Sequence, residues 1–115
     1  MNIEYLPAKL FFKEVAESQS LWLARQGQGV LAFPCRDGGL SLSVWSDRKK
    51  VEAYIKSTND YKDLQLIEFP IFNFEISFFD NSEIIEFQLN PTTTGLKVLV
   101  IDKEEFKENL ERIKR

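Results

Sequence analysis

The chain has no histidine, one cysteine, one methionine and four prolines among its 115 residues. Each scarcity excludes something. Without histidine there is no Ser-His-Asp or Cys-His relay, no imidazole acid–base chemistry, and no ligand set for most zinc sites. A single cysteine forms no internal disulfide, which fits a reducing compartment. The opening residues Met1 to Lys9 lack the basic start and apolar run of a signal peptide. No apolar stretch approaches the length that spans a bilayer, so a cytoplasmic protein is the expectation. Positive charge is also in short supply: 15 Lys and Arg against 18 Asp and Glu leave a net charge of −3. The best basic run, Arg48-Lys49-Lys50, is flanked by Asp47 and Glu52. It reads as a solvated helix face, not the basic stripe that phosphate contacts require, which argues against nucleic acid as a partner.

What the chain has in quantity is phenylalanine, ten residues, five of them between Phe69 and Phe79. Large rings let a small core be stable without disulfides. The length suits one domain over residues 1–115, long enough to bury roughly two thirds of the surface of its unfolded chain.

The hydrophobic pattern lays out an α+β fold. Leu6 to Ser18 reads as a helix, with Pro7 in its first turn and Leu10, Phe11 and Val15 on one stripe. A β-meander follows: Leu21 to Arg25, a turn over Gln26-Gly-Gln-Gly29, Val30 to Phe33, a connection from Pro34 to Gly39, and Leu40 to Trp45. In the last strand Leu40, Leu42 and Val44 alternate with Ser41, Ser43 and Trp45, which predicts one core face and one face toward water or a covering element. Ser46 is placed to cap a second helix, Asp47 to about Lys56, striped by Val51, Tyr54 and Ile55. A loop covers Ser57 to Asp60. Leu64, Leu66 and Glu68 then share one strand face, with Ile67 opposite.

Ile71 to Phe79 is ambiguous. Phe72, Phe74, Ile76 and Phe78 alternate like a strand, while Phe72, Ile76 and Phe79 fall on a helical stripe. Asp80-Asn-Ser82 breaks the chain before a strand from Ile84 to Leu89. Asn90 to Gly95 turns it into a last strand, Leu96 to Ile101. Asp102 and Glu105 form a capping-box pattern for a closing helix lined by Phe106, Leu110 and Ile113. Parallel β-α-β alternation is missing from the first half. The expected architecture is therefore a mixed, mostly antiparallel sheet of about five or six strands packed with three or four helices.

A helix ending Glu17-Ser18, the run Leu21-Trp22-Leu23, a hairpin, and Val44-Trp45-Ser46-Asp47-Arg48 opening a helix together resemble the bacterial domain-of-unknown-function family 2750. The likeness covers nearly the whole chain, though its motif is a few residues: Trp22, Trp45, Ser46, Asp47 and Arg48. It implies a helix within Phe72 to Phe79, where the family pattern holds a second tryptophan that this chain lacks. Leu89-Asn90-Pro91, followed by Gly95 and a strand, is more distantly similar to the amino-terminal domain of the secretion-enhancer protein SseB. Neither resemblance implies a catalytic mechanism.

The remaining chemistry is sparse. Arg36 beside Cys35 can lower a thiol pKa, but a lone cysteine at a strand end serves more simply as a small buried hydrophobe. Gln26-Gly-Gln-Gly29 lacks the lysine and helix of a phosphate loop, and Gly38-Gly39 leads into a strand; hairpin turns account for both. Trp45 is either a packing residue covered by Val51 and Tyr54 or an exposed interface anchor, and the packing reading is favoured. No residue set holds a metal or cofactor, and no catalytic residue is assigned. An enzyme survives only as a carboxylate hydrolase using Glu83 and Glu86.

The expected function is therefore a binding protein without catalysis. Its concrete version is an immunity protein neutralising a bacterial polymorphic toxin, with another protein, a basic toxin domain, as partner. Glu75, Asp80, Glu83 and Glu86 are the expected partner-binding residues, with Phe72 to Phe79 as an apolar centre. The rival expectation is a housekeeping or regulatory domain, SseB-like, that binds a small ligand or another cellular protein.

Overall fold

A computed structural model describes residues 6–58, 63–94 and 98–115. Helix α1 (Leu6–Ser18) leads into β1 (Ser20–Gln26), β2 (Gly29–Val30), β3 (Ala32–Pro34) and β4 (Leu40–Val44). Helix α2 (Arg48–Ser57) follows, then β5 (Gln65–Pro70) and α3 (Ile71–Phe74), which continues as one π-helical turn (Glu75–Phe79). Strands β6 (Ile84–Leu89) and β7 (Leu99–Asp102) and helix α4 (Lys103–Ile113) complete an α+β fold. The expected strand segments at Leu96 and Lys97, and the loop at Asn59 and Asp60, lie outside the described residues.

The strands form two sheets, ordered β2-β1-β5 and β3-β4-β6-β7. All pairings are antiparallel except β4 with β6, which run parallel across a connection that includes α2, β5 and α3. The meander segment expected as one strand, Val30 to Phe33, is split at Leu31. That residue donates its N–H to Ala24 of the first sheet at 2.8 Å and accepts from Ser43 of the second at 3.3 Å. Here the chain changes sheets. Trp22 and Trp45 make a second link by exchanging both backbone hydrogen bonds at 2.9 Å.

The consequence is two apolar clusters, one on each face of β1. Leu21 and Leu23 enter the main core with Leu42, Val44, Phe74, Phe87, Ile101 and Phe106. Ala24 and half-buried Trp22 face a smaller cluster of Trp45, Val51 and Leu64, with Tyr54, Ile55 and Leu66 packed against it. β5 follows the same parity, Leu66 toward the small cluster and Ile67 and Phe69 toward the main one. The side-chain alternation of a strand thus feeds two interiors rather than one interior and water.

Several sequence expectations need correction. In α1 the buried stripe is Ala8, Phe11, Phe12 and Val15, and Leu10 is 48% exposed. In β4, of the two alternatives for the serine face, water or a covering element, the structure has the covered one: Ser41 and Ser43 are buried, Ser41 opposite Phe33 and Ser43 opposite Gln88. A central strand with small hydroxyl side chains is shielded by its larger neighbours. The α2 N-cap is Asp47, not Ser46, and its side chain makes no capping bond. Asp102 does cap α4, accepting from the Glu105 N–H at 2.9 Å.

Gly39 is fixed by sterics. Its φ is +80°, and a Cβ there would stand 2.8 Å from Ile85 and 3.1 Å from the Glu83 carbonyl oxygen. Ile85 is the extra residue of a bulge where β6 passes β4, since Leu40 pairs with Ile84 and Ser41 with Glu86.

Trp45 is 0% exposed, its ring lies 5.1 Å from Tyr54, and its indole N–H donates to the Pro91 carbonyl at 3.0 Å. The packing reading holds and the interface reading of this residue is overturned. Trp45→Ala should therefore destabilise the fold by about 3–5 kcal/mol, measured by denaturant unfolding, and half-buried Trp22→Ala should cost clearly less.

Candidate functional site

The phenylalanine-rich run is a helix because Pro70 ends β5 and starts it. Proline cannot supply a further ladder N–H, and its φ of −54° with ψ of 150° makes it the N-cap of α3. Phe74, fully buried, is the hub: its ring lies 5.0 Å from Phe78, 5.7 Å from Phe79 and 5.9 Å from both Phe87 and Phe106. The π turn explains how residues 74, 78 and 79 all reach the core. More than four residues per turn bring positions i, i+4 and i+5 onto one face. Both sequence patterns for this run are wrong in the same way, because they bury Phe72 and Ile76. These side chains point outward, 68% and 62% exposed.

Phe72 and Ile76 are spaced i, i+4, so they are surface neighbours. Asp80, four residues further and exposed, stands at the end of the π turn. The following turn is tied by Asn81, whose side-chain carbonyl accepts from the Glu83 N–H at 2.9 Å and whose backbone carbonyl accepts from the Lys103 ammonium at 2.9 Å. Glu83 is exposed in that turn, and its backbone carbonyl accepts from the Leu40 N–H at 2.6 Å.

The four expected partner-binding acids sit in three different settings. Asp80 and Glu83 stand together at the exposed turn. Glu75 is half-buried and its carboxylate pairs with the Lys114 ammonium at 3.2 Å. Lys114 also pairs with Glu111 at 2.9 Å, and the two carboxylates, Glu111 foremost, raise its pKa. Glu86 lies on β6, opposite Ser41 and Asp102 and on the strand face away from buried Phe87. Its neighbour there is Cys35. Partial burial, then the Glu86 carboxylate and Asp37, push the Cys35 thiol up, against the lowering that Arg36 alone suggested.

Sequence reasoning missed a polar node where α1, the start of α2 and the β6 exit meet. The Ser46 hydroxyl donates to the Glu14 carboxylate at 2.5 Å, and the Lys50 ammonium donates to the same oxygen at 2.5 Å. The Asn90 side-chain carbonyl accepts from the Ser46 N–H at 2.9 Å, and its amide donates to the Ser46 hydroxyl at 3.0 Å. Asn90 adopts φ of +51°, a left-handed conformation its short polar side chain tolerates. Burial pushes the Glu14 carboxyl up, but the hydrogen bonds from Lys50 and Ser46 and the Lys50 charge outweigh it and hold the group below its ordinary value. Beside this node a cleft of about 330 Å³ is lined by Pro7, Leu10, Lys50, Ala53, Pro91 and Thr92. No local pattern announces the node, because its hydrogen-bonded pairs join residues 32 to 44 positions apart.

Among the described residues no three Cys, Asp or Glu side chains are grouped to hold a metal ion, and no helix is long and apolar enough to cross a membrane. No family model matches the chain, and no curated protein matches it either.

Two consequences are measurable. A carboxyl held below its unfolded value stabilises above that value, and the contribution disappears as pH falls through the folded pKa. Glu14→Gln should thus cost stability near neutrality, by about 1 kcal/mol or less for so exposed an ion pair. Melting curves across acid pH should show the gap to wild type closing as pH drops. At Cys35 the raised thiol pKa leaves less thiolate near neutrality. Alkylation should be slower than for a free cysteine, and Glu86→Gln should accelerate it.

Proposed function

We propose that this protein is a non-catalytic protein-binding domain whose contact surface is the outward face of α3 and its π turn. Phe72 and Ile76 form the apolar centre, and Asp80 and Glu83 supply the adjoining charge. The exposure of Phe72 and Ile76 carries this reading. Two large apolar side chains side by side on a helix held rigidly by Phe74 are costly to leave in water and suit the centre of an interface.

The negative charge at Asp80 and Glu83, with the chain's net −3, favours a basic partner through electrostatic steering. An immunity protein that neutralises a basic toxin domain in the bacterial cytoplasm is the concrete form of this proposal. It is supported by the small fold and the acidic balance. Within this reading Glu75 and Glu86 contribute less than Asp80 and Glu83, because Lys114 neutralises Glu75 and Glu86 sits on the sheet beside Cys35.

A second reading, an SseB-like housekeeping or regulatory domain that binds a small ligand, is favoured by the cleft beside Pro7 and Pro91. Its 330 Å³ falls at the lower end of ligand cavities, roughly 300–1,000 Å³.

Co-expression with the product of the adjacent gene tests the first reading. A complex, protection from toxicity, and loss of both in Phe72→Ala and Ile76→Ala at unchanged melting temperature are expected. A complex indifferent to both substitutions, or no complex and no protection, refutes it.

A further inference from the structure

Strand β5 is an edge of the three-stranded sheet, and its hydrogen-bonding direction follows from β1. Trp22 spends its N–H and C=O on Trp45, and Ala24 gives its C=O to Leu31, so both face away from β5. Trp22 stands opposite Glu68 and Ala24 opposite Leu66, which makes these the non-hydrogen-bonded pairs of the ladder. The bonds between the strands therefore run through Gln65, Ile67 and Phe69. The backbone N–H and C=O of Leu66 and Glu68 point outward, and no described residue pairs with them. Within β5 there is no lysine, no internal proline and no bulge, and the one charged side chain on the strand is Glu68.

We propose that a second copy of this chain completes this edge, β5 against β5, antiparallel and centred on Ile67. The register follows from the strand itself. A two-fold axis through Ile67 sets Leu66 of each copy opposite Glu68 of the other, so every outward donor and acceptor of those residues meets its complement. Centring on Glu68 instead would oppose two carboxylates and place Leu66 against Pro70, which has no N–H. Centring on Leu66 would draw on Leu64, which lies before the strand and is buried in the Trp45 cluster. The Ile67 register keeps each sheet face continuous across the axis, Gln65 beside Phe69 on one side and Leu66 beside Glu68 on the other. A six-residue edge is small beside the ~800 Å² per partner of a stable interface, so the dimer is weak and depends on concentration.

Sedimentation velocity at rising protein concentration should show a shift from monomer to dimer. Hydrogen exchange at the same concentrations should show the Leu66 and Glu68 amides gaining protection while the Ile67 amide, already in the ladder, does not change. Glu68→Pro removes one outward donor from an exposed position without touching the β1 ladder and should abolish the dimer, whereas Glu68→Gln should retain it. A wild-type protein that stays monomeric overturns the proposal, including one that pairs only with an extended segment of a different protein. Self-association of a folded Glu68→Pro variant equal to wild type also overturns it. Should that variant fail to fold, exchange at Leu66 and Glu68 in the wild type decides: protection independent of concentration refutes the dimer.

Discussion

The paired backbone hydrogen bonds between Trp22 and Trp45 are the constraint on which the rest of the fold depends. They fasten the last residue of the meander to the middle of β1, at the point where the chain has already moved from one sheet to the other through Leu31. With that link made, the Trp45 indole has one place to go, between Tyr54 and Val51 of α2, with its N–H on the Pro91 carbonyl. The smaller apolar cluster is therefore a product of the link. So is the position of α2, which covers the face of β1 that the main core leaves open.

The same junction organises the polar node. Ser46 follows Trp45 directly, so fixing the tryptophan also delivers the serine to Glu14 and Asn90. A buried indole and a hydrogen-bonded hydroxyl in adjacent positions tie α1, α2 and the β6 exit together over separations that no helix or hairpin bridges. Lys50 adds charge to this node, but its partial exposure makes it a minor contributor compared with burial of the ring.

The candidate contact surface has a different origin. Phe74 and Phe79 are drawn inward by Phe87 and Phe106, the latter two stacked at 4.1 Å, and Phe78 packs on Phe69 and Phe74. Turning those three residues inward through a π turn leaves Phe72 and Ile76 outside. The packing demand of the core thus creates the exposed apolar pair, and the free edge of β5 ends at the same proline that begins this helix. The two proposed contact surfaces lie at either side of Pro70.

Much was legible in the residues alone. Alternation at Leu64 to Ile67, the Asp102 cap, the stripe of Phe106 and Leu110, and the meander with its glycine turns are local patterns, set by steric and hydrogen-bonding rules that act within a few residues. The absence of histidine and the single cysteine likewise bound the available chemistry without any structure. Tertiary packing decided the rest. Whether Phe72 or Phe74 is buried depends on where Phe87 and Phe106 stand, and those rings come from strands and helices distant in the chain. The change of sheets at Leu31, the burial of Ser41 and Ser43, the Glu14–Ser46–Asn90 node and the division of the four acids have the same cause. Each is set by a partner contributed by another element, and spacing along a chain carries no information about such partners.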